Sequence, residues 1–226
     1  MSKNIVITGA NRGIGFAMSK IFSELGNNVY ALCRRSSEQL DSFASQTENL
    51  QVITGVDVAT DEGIALMSAE LKDINIDILV CNAGILRDEQ LGSLNIDTLR
   101  EQFEVNAIAP LRCVDALAQQ FKAGSKVAMI TSRMGSIADN GSGGRYGYRM
   151  SKAALNAAAM SLSKDLASEK VAVGIYHPGY VQTDMVNHGG DISADESAGK
   201  LVNLILDLSM QETGVFKHSN GQILPW

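Results

Sequence analysis

The chain has 226 residues, of which 45% are hydrophobic and 19% are charged, a balance typical of globular proteins rather than disordered ones. The formal net charge of −6 at pH 7 argues against a nucleic-acid partner, because such binding depends on a basic surface. No apolar run reaches the roughly 18–20 residues of a membrane span, and the first residues lack the pattern of a signal peptide, so we expect a cytoplasmic protein with no membrane partner.

Short apolar runs alternate along the chain with longer stretches of helical periodicity. The apolar runs predict strands at residues 4–8, 28–33, 50–54, 76–81, 126–131, 171–176 and 222–224. The periodicity predicts a helix directly after residue 13 and others at residues 37–46, 60–71, 96–121, 151–168 and 193–209. Pro110 should bend or interrupt the long helix at 96–121, and Ser193 with Glu196 forms a capping-box pattern at the start of the last helix.

This alternation of strands and helices predicts an α/β fold with a doubly wound parallel sheet of about seven strands, covered by helices on both faces. No linker or repeat divides the chain, so we expect a single domain over residues 1–226. The three cysteines, Cys33, Cys81 and Cys113, are far apart in the sequence, which favours reduced, buried thiols and no metal site.

The first strand leads into a glycine-rich loop, Thr8 to Gly15, with glycines at 9, 13 and 15 and a helix behind it. Glycines allow a tight turn and a close approach to a pyrophosphate, and the helix N-terminus supplies free N–H groups. The strand-loop-helix context therefore predicts a dinucleotide site, and the alternative is an ordinary glycine turn.

The residues after the second strand indicate which dinucleotide binds. An acid about 20 residues beyond the loop grips the ribose of NAD, whereas an arginine there suits the 2′-phosphate of NADP. This chain has Arg34 and Arg35 at that place and no acid between residues 29 and 37, and Arg12 in the loop adds a third guanidinium. We therefore predict NADP(H), with Arg34 the main contact; the alternative is a pair of solvated arginines.

Tyr148 and Lys152 are four residues apart at the start of a predicted helix, which places them on one face. An ammonium about 4 Å from a phenol is worth roughly 4 kcal/mol at an effective dielectric near 20, enough to lower the tyrosine pKa by up to about 3 units. The pair is thus a candidate acid–base couple. The alternative is an exposed pair without function. Tyr146 is a useful comparison, because the residue four positions after it is Met150, which carries no charge.

Taken in order, the motifs resemble those of the short-chain dehydrogenase/reductase family over nearly the whole chain. The glycine loop resembles the family's cofactor motif, Asp57-Val58 its adenine contact, and Asn82-Ala83-Gly84 its sheet-stabilising motif. The remaining matches are Asn106 in a helix, Ser132 after the fifth strand, Tyr148 and Lys152, and the segment Pro178-Gly179 with Val181 and Thr183. Within the family the chain is most similar to small carbonyl reductases of the sniffer and C-factor type.

The resemblance implies a Rossmann fold and an oxidoreductase that moves a hydride between NADP(H) and a carbonyl or alcohol. It assigns catalysis to Tyr148 as proton donor or acceptor, Ser132 as a hydrogen-bond partner of the substrate oxygen, Lys152 as activator of the tyrosine, and Asn106 as the residue that positions a water. It implies that the cofactor contacts are Gly9, Asn11, Arg12, Gly13, Ile14, Gly15, Arg34, Arg35, Asp57, Val58, Asn82, Ala83, Gly84, Tyr148, Lys152, Pro178, Gly179, Val181 and Thr183. The resemblance also implies that the alanine-rich helix at residues 151–168 packs against a partner subunit in a homodimer or homotetramer; packing of the same face within the chain is the alternative. The alternative function is a non-catalytic NADP(H)-sensing or signalling module.

Overall fold

The computed structural model describes residues 2–226, which fold around one parallel sheet. Seven strands within these residues lie in the order β3-β2-β1-β4-β5-β6-β7. Their bounds are β1 (Asn4–Thr8), β2 (Asn28–Leu32), β3 (Leu50–Ile53), β4 (Ile76–Cys81), β5 (Phe121–Ile130), β6 (Ala172–His177) and β7 (Phe216–His218). The predicted doubly wound α/β fold is confirmed, and the strand order reverses between β1 and β4, where such folds bind their ligands.

Seven α-helices connect these strands within the described residues. They are α1 (Gly13–Glu24), α2 (Glu38–Ser45), α3 (Asp61–Glu70), α4 (Ile96–Phe103), α5 (Ala109–Ala116), α6 (Tyr146–Asp165) and α7 (Ala194–Asp207). Side-chain oxygens cap several N-termini: Ser37 accepts from Leu40 N, and Ser193 accepts from Glu196 N as its sequence pattern predicts. None of the helices in this part of the chain combines the length and apolarity that a bilayer crossing needs.

Alternating side chains of the central strands bury two separate apolar layers, one on each face of the sheet. On β4, Leu79 and Cys81 belong to the layer beneath α5 and α6, whereas Ile78 and Val80 belong to the layer beneath α1 and α7. Because both faces are covered, the strands read as continuous apolar runs, which is why they were predictable from the sequence. Cys33, Cys81 and Cys113 are free and buried, as predicted.

The helical stretch predicted at residues 96–121 is interrupted just before Pro110, as expected, but it ends earlier than predicted, at Ala116. The chain runs from α4 through a π-helical turn, Glu104–Ile108, into α5, and the amide of Ala109 donates to the carbonyl of Glu104 five residues back. Pro110 has no amide hydrogen for the carbonyl of Asn106, and the wider π-helical turn lies directly before it. The strand β5 already begins at Phe121, five residues before its predicted start.

The last strand was predicted at 222–224 and lies instead at Phe216–His218, where it pairs with β6. Residues 222–224 fold back on it: His218 N donates to Gln222 O, Leu224 N donates to Phe216 O, and Lys217 pairs antiparallel with Ile223. The sequence did not separate the two segments because each has only three residues and a single buried apolar side chain.

The packing of β4 generates a stability prediction. Leu79 is fully buried, so Leu79→Ala removes packed methyl groups and should lower the free energy of unfolding by about 2–5 kcal/mol. Leu91→Ala is the control, since that side chain is 81% exposed, and it should change the value by less than about 0.5 kcal/mol. Urea denaturation of both variants measures the difference; equal effects would contradict the described core.

Candidate active site

The carboxyl ends of β1, β4, β5 and β6 open into one crevice of about 1110 Å³. All of the predicted cofactor contacts line it except Gly179 and Val181. Gly179 has a φ of +96° and Val181 is buried, with a bridge to Ile192, so this pair shapes the loop behind the crevice wall. The wall also includes residues that the motifs did not single out, among them Gln39, Gly55, Ile85, Arg87, Gln182 and Met185.

The glycine loop fits against the β4 end so closely that side chains are excluded. A Cβ on Gly15 would lie 2.3 Å from the carbonyl oxygen of Gly9, and one on Gly9 would lie 2.9 Å from the Cα of Ala83. Gly9 and Gly13 also have φ values of +65° and +53°, which glycine adopts without strain. The loop thereby leaves a cradle of backbone at the N-terminus of α1, where a phosphate group can approach N–H groups directly.

Hydrogen bonds between Thr8 and Asn82 hold the β1 and β4 ends together. The Asn82 amide nitrogen donates to the carbonyls of Thr8 and Gly9 at 3.0 and 3.2 Å. In return the Thr8 hydroxyl accepts from the backbone N–H groups of Asn82 and Ala83 at 3.0 and 3.1 Å. This arrangement agrees with the sheet-stabilising part that the sequence resemblance implied for residues 82–84.

The predicted phosphate-binding arginines lie along the crevice rim, and two of them face carboxylates. The Arg34 guanidinium is 3.7 Å from the Asp57 carboxylate, and Arg12 is 2.9 Å from Asp184 in the loop beyond β6. Both arginine side chains are about two-thirds exposed, 69% and 67%. Exposed ion pairs of this kind contribute little to stability. A bound anion could therefore replace the carboxylates as partner of the guanidiniums at a small cost in free energy.

The four predicted catalytic residues are buried around the inner end of this crevice. Tyr148 and Lys152 line the crevice itself, in the first two turns of α6. The Lys152 Nζ donates to the Ile130 carbonyl at 3.0 Å and lies 5.9 Å from the centre of the Tyr148 ring. The Ser132 hydroxyl, just beyond β5, is 6% exposed and accepts from Met134 N at 3.1 Å.

Asn106 lies in the π-helical turn and is fully buried. Its side chain bonds to both backbone groups of Ile85 at 2.8 Å and donates to the Ser151 hydroxyl at 3.1 Å. A Cβ on Gly84 would be 3.2 Å from the Asn106 Oδ1 and 3.6 Å from the Lys152 Nζ. A side chain at position 84 would therefore point toward both the asparagine and the lysine and would crowd them.

The pKa of Tyr148 differs from the sequence-based expectation of a lowered value. Burial raises it, because the phenolate loses its hydration, and the nearby Ser132 hydroxyl and Arg145 charge offset this only in part. Burial also lowers the pKa of Lys152 to about 8. The sequence predicted the spacing of Tyr148 and Lys152 correctly, but it did not predict the free-energy cost of burying both groups away from water.

Comparison with known proteins agrees with this geometry. The model of the short chain dehydrogenase family matches residues 3–191. The chain belongs to this family and is an oxidoreductase of the short-chain dehydrogenase/reductase type, as its motifs predicted.

Particular relatives refine the assignment. The chain is 34% identical to the 1-hydroxy-2-glutathionyl-2-methyl-3-butene dehydrogenase of a Rhodococcus species, over 98% of this chain and 99% of that protein. It is 39% identical to the C-signal protein of Myxococcus xanthus over 67% of this chain and 93% of that protein. The structure of an NADPH-bound carbonyl reductase from chicken fatty liver superposes with a TM-score of 0.90 at 29% identity, covering 100% of this chain and 99% of that one. These similarities confirm the predicted relation to carbonyl reductases and C-factor proteins.

The glycine loop generates a second stability prediction. Gly15→Ala forces its methyl group against the Gly9 carbonyl and should lower the free energy of unfolding by about 1–3 kcal/mol. The control is Gly199→Ala in α7, where a Cβ meets nothing within 4 Å and should stabilise the protein by about 0.4–1 kcal/mol. Urea unfolding of the two variants is the measurement, and a Gly15→Ala protein as stable as the Gly199→Ala protein would contradict the described loop.

Proposed function

We propose that the protein is an NADP(H)-dependent oxidoreductase that interconverts a carbonyl and an alcohol, with Tyr148 as proton donor or acceptor. The observation that carries the proposal is the position of Tyr148 and Lys152: both line the same crevice as the glycine loop. The similarity to an NADPH-bound carbonyl reductase and to a dehydrogenase supports this chemistry in either direction.

The cofactor fits the residues that line the crevice. The backbone cradle at Gly9–Gly15 is open to a pyrophosphate, and Arg34, Arg35 and Arg12 offer guanidiniums to a 2′-phosphate. Asp57, Val58 and Pro178 also line the crevice, where Asp57 and Val58 would contact the adenine and the backbone after Pro178 would contact the nicotinamide end. The nicotinamide, when bound, supplies or accepts the hydride.

The protein's own side chains then handle the proton and the substrate oxygen. Ser132 donates a hydrogen bond to that oxygen, and Tyr148 transfers the proton to or from it. Lys152 would hold the nicotinamide ribose, and its ammonium, 5.9 Å from the centre of the Tyr148 ring, would stabilise the phenolate that forms when Tyr148 gives up its proton. Asn106 positions a water on the path from Lys152 to solvent.

The pKa shifts of Tyr148 and Lys152 are compatible with these proposed roles. A phenol with a raised pKa holds its proton at neutral pH, as a donor to a developing alkoxide must. A lysine with a pKa of about 8 is still mostly charged at pH 7 and loses that charge above pH 8. At neutral pH the phenol is therefore protonated and the lysine mostly charged.

We further propose that residues 1–226 act as a single domain and that the chain forms a homodimer or homotetramer through the outer face of α6. Ala153 and Ala157 on this face line a shallow apolar groove beside Ile137 and Trp226. Ile137 is 82% exposed, which favours a covered surface in the assembled protein. Light scattering of the purified protein measures the assembly, and a monomer at micromolar concentration would contradict it.

A non-catalytic NADP(H)-sensing module is the second candidate, favoured by the similarity to the C-signal protein. It is distinguished by turnover: a module of this kind binds NADPH but reduces none of a panel of aldehydes and ketones. The burial of a complete Asn106, Ser132, Tyr148 and Lys152 set favours the enzyme.

The acid–base assignment predicts a large loss of activity in Tyr148→Phe. Without the hydroxyl, no group at that position can donate the proton, so kcat for NADPH-dependent reduction of 4-nitrobenzaldehyde or another active carbonyl should fall by about 10²–10⁴-fold. Tyr146→Phe, two residues earlier on α6, is the matched control and should retain wild-type kcat. Equal turnover in Tyr148→Phe and the wild type would remove Tyr148 from the mechanism.

The cofactor assignment predicts a selective loss of NADPH affinity in Arg34→Ala. A charge-assisted bond of about 1.5–3 kcal/mol corresponds to a roughly 10–100-fold rise in the Kd for NADPH, with the Kd for NADH unchanged. Arg100→Ala is the control, because that side chain is 78% exposed on α4, outside the crevice. Fluorescence titration with both nucleotides measures the ratio, and an unchanged NADPH-to-NADH preference would contradict the role of Arg34.

A further inference from the structure

Glu89 is the only acidic side chain in the buried class among residues 2–226, being 3% exposed. It lies in the segment after β4, and its carboxylate forms no ion pair in the described part of the chain. Its hydrogen-bond donors are neutral: the Gln102 amide at 2.6 Å, the Thr98 hydroxyl at 2.8 Å and the backbone N–H of Gly147 at 3.3 Å. A buried carboxylate without a cation is costly, so its retention needs a physical reason.

The N-terminus of α6 gives that reason. The residue before the helix, Arg145, has a left-handed φ of 51° and makes no side-chain cap, so the first N–H groups of α6 need another acceptor. The Glu89 Oε2 accepts from Gly147 N, and the Glu89 backbone carbonyl accepts from Arg145 N at 2.9 Å. A negative charge at this end also interacts favourably with the positive N-terminal end of the dipole of this 20-residue helix.

The other side of the Glu89 carboxylate is fixed to α4. Gln102, itself fully buried, donates to Glu89 and accepts from Arg87 N at 2.9 Å. The helices meet so tightly here that a Cβ on Gly147 would lie 2.3 Å from the Gln102 Nε2. Glu89 therefore joins α4, the loop after β4 and the first turn of α6 at one point.

We propose that Glu89 is a positioning residue for the reaction, because the turn that it caps carries Tyr148, one residue beyond Gly147. Its carboxylate fixes the start of α6 and thereby the place of the phenol at the inner end of the crevice. Glu89 does not line the crevice, so it acts through the helix and not on the substrate. This inference rests on the proposed function of Tyr148.

The test is Glu89→Gln, which keeps the shape of the side chain but presents an NH₂ group in place of one acceptor oxygen. We expect kcat for NADPH-dependent reduction of 4-nitrobenzaldehyde to fall at least 10-fold, while the Kd for NADPH stays within 2-fold. Amide hydrogen exchange at residues 146–149 should become at least 10-fold faster. Asp97→Asn on α4, whose carboxylate is 91% exposed, is the control and should change none of these values.

A double variant separates positioning from general damage. If Glu89 acts through the phenol, adding Glu89→Gln to Tyr148→Phe should reduce kcat no further. A further 10-fold loss in that background, a parallel loss of NADPH binding, or wild-type kcat and exchange in Glu89→Gln would each overturn the proposal.

Thr98→Val serves if Glu89→Gln fails to fold. It removes one donor to the carboxylate and keeps the charge, so a 2–5-fold loss of kcat with unchanged NADPH binding is expected, and no loss would overturn the proposal. Full activity in Tyr148→Phe would instead refute the proposed function. In that case, faster amide exchange in Glu89→Gln would still show that Glu89 caps the N-terminus of α6.

Discussion

The contact between the ends of β1 and β4 is the constraint on which the rest of the site depends. The strand order reverses there, so no helix crosses above it and the crevice stays open. Thr8 and Asn82 close the gap with reciprocal hydrogen bonds, and Gly9 and Gly15 let the loop pack against Ala83 without a side chain between them. A dinucleotide can reach backbone N–H groups only because this joint keeps the loop tight.

Desolvation governs the chemistry at the other end of the crevice. Burial raises the pKa of Tyr148 and lowers that of Lys152, so each group moves toward its neutral form. The Lys152 ammonium therefore does not interact with the phenol alone, because it also donates a hydrogen bond to the Ile130 carbonyl. The first two turns of α6 carry both side chains and so fix their positions in the crevice.

The sequence predicted the fold class, the strands β1 to β4 and β6 within a residue or so of their ends, and most of the residues that line the crevice. Those predictions succeed because buried parallel strands are continuous apolar runs and because glycine and motif residues follow strand ends directly. The early part of β5 is exposed and polar at Lys122, so its pairing with β4 leaves no apolar signal. Glu89 is one acid in a polar run from Arg87 to Gln90, and only the approach of α4 and α6 distinguishes it from its neighbours.

The π-helical turn at Glu104–Ile108 changes the phase of the helical segment that contains it. An α-helix advances 100° per residue, so one additional residue in a turn rotates everything after it by that angle relative to everything before. Gln102 on α4 consequently faces α6, whereas Ala109 and Cys113 on α5 face the apolar layer of the sheet. Asn106, at the change of phase, is directed at the loop after β4. Loss of one residue from this turn would rotate α5 relative to α4 and disturb the hydrogen bonds of Asn106 to Ile85 and Ser151, so the site depends on the length of this segment.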